Sequence, residues 1–246
     1  MSDMIAPPTT SAPGEPEMST GETLTGIFFE PSRTFDALRT RPRFLVAGII
    51  LLVAVIIVTA LLYMRVDMGQ FIRDRIEQSP NAAQISEQQK ETQVKFGKIL
   101  GMVLIPVSVP VTIAGGSALY LLLVLAFGGS INYKKALSVW TYSSLPQHLL
   151  GALIAILVLF LKSPDSIQPE RLVATNPGAL MGEGTSKVLV AVLSQIDLLK
   201  FYGLFLAAIG LRRIAKLSSG QAWGAVLTLW ILGLLLAVAS AALFGR

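Results

Sequence analysis

Asp197 and Lys200 stand three residues apart within a long apolar run, Val188 to Leu211. On a helix that spacing puts both on one face. Charges in a bilayer are costly and turn toward protein or water, so this pair is the most site-like feature of the chain. Three readings are open: a structural ion pair, a site for ion or proton coupling, or a span that starts only at Leu198. In the third case both groups lie near the interface, where lysine can snorkel.

The lone histidine, His148, follows Pro146. It could carry a proton or simply hydrogen-bond locally. With Ser117 of Gly115-Gly116-Ser117 it could form the Ser/His dyad of an intramembrane protease, which requires equal depth and an oxyanion donor. No third orienting group is evident, and small residues within a span commonly serve helix packing. The stretch Gly182 to Lys187 superficially resembles a phosphate loop but fails in both spacing and residue order. His-Glu-x-x-His and the Rossmann fingerprint are missing. The chain has no cysteine, which excludes thiolate nucleophiles, disulfides and iron–sulfur clusters. The residues nominate no enzyme, no cofactor and no metal.

The elements that must position these residues are plain in the composition. Of 246 residues 53% are hydrophobic and 14% charged, and mean hydropathy is +0.65. Charges gather between long apolar runs, which is the composition of an integral membrane protein. An all-α, polytopic bundle of five transmembrane helices is expected, because lipid forces backbone groups to bond within each span and barrel-type alternation is absent. The spans are about 44–64, 99–127, 140–161, 188–211 and 222–244. The second contains Pro106 and Pro110 and should kink.

Residues 1–23, rich in Pro, Ser and Thr, read as a disordered cytoplasmic tail ahead of a membrane domain over 24–246. No lysine or arginine precedes Arg33, so no cleaved secretion signal is expected. A short helix with Phe35 and Leu38 on one face and basic flanks can lie in the headgroup zone or pack on the bundle. The connection Val66 to Lys98 reads as two short helices, with Ser79-Pro80 as a start signal and the second helix running into span two. Trp140, Tyr142, Trp223 and Tyr133 fall near span ends and read as interface anchors.

The net charge of +5 could suggest nucleic acid, but the basic residues flank apolar runs, so no nucleic-acid partner is expected. Lysine and arginine numbers nearly balance across the two sides. Density favours Arg33, Arg39, Arg41, Arg43, Lys134, Lys135, Arg212, Arg213 and Lys216 as the cytoplasmic set. That puts the N-terminus inside and the C-terminus outside a bacterial cytoplasmic membrane.

Together, Gly26-Ile-Phe-Phe-Glu-Pro-Ser-Arg-Thr-Phe35, Arg41-Pro42, Gln88-Gln-Lys-Glu-Thr-Gln-Val-Lys-Phe96 and Tyr133-Lys-Lys-Ala-Leu-Ser-Val-Trp-Thr-Tyr-Ser-Ser-Leu-Pro146 resemble the prokaryotic branch of the Yip1 family. The resemblance covers roughly residues 24 to 244 and is most specific in block 131–146. It implies a five-helix membrane bundle with a cytoplasmic N-terminus. Eukaryotic relatives act in membrane traffic and contact Rab-type GTPases, but their Asp-Leu-Tyr-Gly-Pro-like motif is missing here, so Rab binding does not carry over. Some prokaryotic members are associated with ABC-type export machinery. The family supplies no catalytic residues. The leading expectation is a non-enzymatic scaffold or accessory subunit acting through lipid and helix contacts, oligomeric state open. The alternative is a small ion- or proton-coupled transporter or channel using Asp197, Lys200 and His148.

Overall fold

The computed structural model of the chain describes residues 18–79, 81–182 and 184–244. Among these there is no strand. The α-helices are α1 (Thr20–Phe29), α2 (Pro31–Thr40), α3 (Leu45–Arg65), α4 (Met68–Glu77), α5 (Glu87–Ala126), α6 (Tyr133–Leu161), α7 (Lys187–Leu193), α8 (Leu198–Ile214) and α9 (Ser219–Phe244).

Capping chemistry sets most of the starts. The Ser19 hydroxyl accepts from the Glu22 backbone N–H at 3.1 Å, and the Glu22 carboxylate accepts from the Ser19 N–H at 2.6 Å. This reciprocal box opens α1 at Thr20. Residues 20–23, expected as tail, are therefore its first turn, while residues 1–17 lie outside the described residues. The helical segment expected after the tail is two helices, because Pro31 occupies the first position of α2. Ile27, Phe35 and Leu38 are fully buried against the bundle. Gly210 on α8 makes room for Phe35, since a Cβ there would stand 2.9 Å from the ring.

Helix α3 lies within one residue of the expected first span. Helix α5 starts well before residue 99 because Ser86 and Gln89 form a second capping box, and its polar first turns continue into the apolar run. That box, not Ser79-Pro80, is the start signal; Ser79 follows the end of α4 and its hydroxyl donates to Ile76. Pro106 and Pro110 sit inside α5. Asn132 accepts from the Lys135 N–H at 2.9 Å and starts α6 before residue 140.

The fourth span departs from expectation. It is two helices, α7 and α8, bent by 48° at residues 194–197. Helix α8 alone has 17 residues, about 25 Å at 1.5 Å per residue, short of the roughly 30 Å hydrocarbon thickness. Four helices, α3, α5, α6 and α9, are long and apolar enough to cross a membrane, and the bent pair makes a fifth crossing if it counts as one span.

Tertiary bonds fix the alternation. Asp36, on the helix leading into α3, pairs with Arg213 at the end of α8 at 3.2 Å. At the opposite end Arg65, closing α3, donates from Nε to the Leu159 carbonyl near the end of α6 at 3.0 Å. Gln221, at the start of α9, donates to the Phe127 carbonyl just beyond α5 at 2.8 Å. Successive spans therefore run in opposite directions.

The main core joins α2, α3, α5, α6 and α8 around Phe35, Leu51, Tyr142, Leu206 and Leu211. Two of the expected anchors belong to it. Trp140 fills the space above Gly116 and stacks obliquely on Tyr120 at 5.1 Å, and Tyr142 is buried with its hydroxyl 3.1 Å from that of Thr23. Tyr133 and Trp223 stay exposed. A smaller core of Leu62, Met68, Leu159 and Ile167 closes the end where α3 and α6 stop. Helix α9 docks through the fully buried Ala222, Ala225 and Val226 and the half-buried Leu229 and Trp230; from Leu227 to Leu243 no side chain is fully buried.

Candidate functional site

The break between α7 and α8 is made by Asp197. Its backbone is extended, and its Oδ1 accepts the Lys200 backbone N–H at 3.0 Å as the N-cap of α8. Its Oδ2 accepts the Thr175 hydroxyl at 2.6 Å and the Asn176 amide at 3.3 Å. The connection after α6 is thus tied into the break, and the Leu198 N–H donates to the Thr175 carbonyl at 3.3 Å. Both carboxylate oxygens are engaged in holding structure.

Lys200 is placed on the first turn of α8. Its ammonium donates to Gln195 Oε1 at 2.7 Å, and no carboxylate among the described residues lies within ion-pair distance of it. The Gln195 carbonyl in turn accepts from the Trp230 indole at 3.3 Å, which latches α9 onto the break. A half-buried ammonium with one amide partner is a costly arrangement in an apolar region.

His148 lies midway along α6. Its Nδ1 lies 2.8 Å from the Ser144 carbonyl, to which it can only donate, and Nε2 has no hydrogen-bond partner among the described residues. The adjacent Gln147 reaches α8 because position 203 is glycine: a Cβ there would overlap its amide.

These groups converge. A cavity of about 420 Å³ between α3, α6 and α8 is lined by Gln147, His148, Thr175, Asp197 and Lys200 on otherwise apolar walls. A second, of about 300 Å³, lies between α3, α5, α6 and α8, and shares Val55, Gln147, His148 and Lys200 with the first. Asp197, Lys200 and His148 therefore line one cavity, yet Asp197 and Lys200 do not pair as ions. Gly151, on this cavity, is ten residues short of Leu161, about 15 Å inside the end of α6.

Ser117 is buried, its hydroxyl donates to the Ile113 carbonyl at 2.5 Å, and it lines neither cavity that holds His148. Among the described residues no group of three or more His, Asp or Glu side chains could hold a metal ion. Sequence reasoning missed Gln147, Thr175, Asn176 and Gln195. Gln195 carried a readable signal, an amide inside an apolar run. Thr175 and Asn176 gave only the turn chemistry of Asn before Pro177.

Comparison with known proteins adds a family. The Yip1 domain model matches residues 25–240. Membrane protein YknW of Bacillus subtilis (strain 168) is 28% identical over 209 residues, which cover 81% of this chain and 81% of that protein. No solved structure gives a significant match.

Proposed function

The chain belongs to the Yip1 domain family, and on that premise we propose that it is a non-enzymatic scaffold or accessory subunit that works through its outward helix faces. The observation that carries this reading is α9. Beyond Val226 one side of it packs on the core and on α7, through Leu229 and Trp230 among others, while the other side, including Leu232, Leu235 and Leu236, presents an apolar surface that stays exposed. Gly233 and Ala237 stand one turn apart on this stretch, and a Cβ at 233 would meet nothing within 4 Å. Small residues at that spacing allow close approach of another helix. Gly115 is open in the same way, whereas Gly116 and Gly129 are occupied by Trp140 and by Leu217 with Val124, so they serve internal packing.

In this reading the bent pair is one span. The chain crosses the bacterial cytoplasmic membrane five times, with the arginine-rich end of α2, α3 and α8 in the cytoplasm and the C-terminus outside. The partner class is ABC-type export machinery, as for some prokaryotic members of the family. Crosslinking in native membranes followed by mild extraction tests it. A second membrane protein should copurify, and Gly233→Leu with Ala237→Leu should release it without unfolding the chain. Recovery of the chain alone overturns the reading.

A transporter or channel is the second reading, favoured by the shared cavity of Asp197, Lys200 and His148. Flux into proteoliposomes that is lost in Lys200→Gln supports it.

A further inference from the structure

The two adjoining cavities around Lys200 have volumes within the range of small-molecule sites. Apart from a few polar groups their walls are apolar: Val58, Ile105 and Leu172 in one, Val109, Ile113 and Leu229 in the other.

Asp197 and Lys200 balance in formal charge, but both Asp197 oxygens are engaged by Lys200 N–H, Thr175 and Asn176, so the ammonium meets no free carboxylate oxygen among the described residues. Ser143 and Ser144 donate to the Trp140 carbonyl, and Thr112 donates to carbonyls of its own helix. Besides Thr59, Tyr120 and Trp140, the lining holds the Lys200 ammonium, with a neutral amide as its partner, beside Gln147 and the Nε2 of His148, which has no hydrogen-bond partner among the described residues. An ammonium in an apolar setting gains most from an anionic partner.

We propose that these cavities bind a single-chain amphiphile with an anionic head, the head against the Lys200 ammonium and the chain along the apolar walls. The ammonium has a neutral amide and no carboxylate as its direct partner among the described residues, so an anionic head would supply the ionic contact it lacks. Each cavity by itself, about 420 and about 300 Å³, lies in the lower half of the small-molecule range and suits one chain. The head chemistry is carboxylate or phosphate, supplied by a fatty acid or by a lysophospholipid. The inference is independent of the partner reading.

Binding of tritiated myristate to the detergent-purified full chain tests it, with competition by 1-myristoyl lysophosphatidate, myristyl alcohol and tetradecylammonium. Saturable binding is expected, with the alcohol and the amine at least tenfold weaker competitors than unlabelled myristate. Whichever of myristate and lysophosphatidate binds more tightly identifies the head. Lys200→Gln should weaken binding at least tenfold and Lys200→Arg should retain it. Ala152→Phe, which fills the larger cavity without touching the charge, should abolish binding and keeps the test valid if Lys200→Gln does not fold. Equal competition by acid and alcohol, or wild-type affinity in Lys200→Gln or Ala152→Phe, overturns the proposal.

Discussion

The carboxylate of Asp197 accepts the backbone N–H of Lys200 at 3.0 Å, while the ammonium of the same lysine turns to Gln195 Oε1 at 2.7 Å. Two charged residues on one turn are thus bonded through the main chain and not ion-paired, and they carry different tasks. Asp197 ends one helix and starts the next, and Lys200 points its charge into a cavity.

The capping role of Asp197 gives a prediction. Asparagine is as good an N-cap as aspartate, whereas alanine loses about 1–2 kcal/mol. Asp197→Asn, which keeps the Oδ1 cap but puts an amide N–H where Oδ2 accepts from Thr175 and Asn176, should melt a few degrees below the wild type in detergent, and Asp197→Ala, which also loses the cap, should melt lower still. Equal melting of the two variants would contradict a structural carboxylate.

Gly116 and its neighbour Gly115 form a paired test. A Cβ at 116 would overlap the Trp140 ring, and one at 115 would meet nothing within 4 Å. Gly116→Ala should destabilise by about 1–3 kcal/mol through overpacking, and Gly115→Ala should be neutral or slightly stabilising. Thermal unfolding followed by tryptophan fluorescence reads both.

Docking of α2 rests on burial more than on charge. Phe35 is fully buried over Gly210, whereas the Asp36–Arg213 pair is partly exposed. Phe35→Ala should cost about 3–5 kcal/mol and Asp36→Asn no more than about 1 kcal/mol. Denaturant titration of the two variants checks the order, which reverses if the ion pair holds the helix.

Acid should loosen α1. The Ser19 backbone N–H, and then its hydroxyl, hold the Glu22 carboxyl below its ordinary value of 4.5. A depressed pKa means that the capping box contributes fully above that ordinary value and is lost as pH falls through the lowered one. Hydrogen-exchange protection of α1 should therefore drop on acidification in the wild type, and Glu22→Gln should show a smaller drop. An identical drop in both excludes the box as the cause.

The long apolar helices were legible where length and apolarity alone decide: α3 lies within a residue of the expected run, and α5, α6 and α9 contain most of theirs. What was illegible depends on tertiary partners. The broken fourth span looks like one run because Asp197 is flanked by apolar residues, and only the approach of Thr175 and Asn176 shows that its carboxylate caps a new helix. A start at Leu198 was readable as an alternative, and it is where α8 begins. Trp140 and Tyr142 have the composition of interface anchors, but Gly116 and Thr23 draw them inward, a contact across distant positions that no local pattern contains. Convergence of His148 with Lys200 depends on the packing of α6 against α8, which Gly203 permits by giving way to Gln147.

The proposed five-crossing bundle has its arginine-rich end in the cytoplasm. The chain has no cysteine, so single cysteines report one position each. In intact spheroplasts a membrane-impermeant maleimide should label Ser166→Cys, between α6 and α7, and leave Ser32→Cys on α2 and Ser218→Cys between α8 and α9 unlabelled until the membrane is opened. Labelling of Ser32→Cys in sealed spheroplasts, or protection of Ser166→Cys, contradicts this topology.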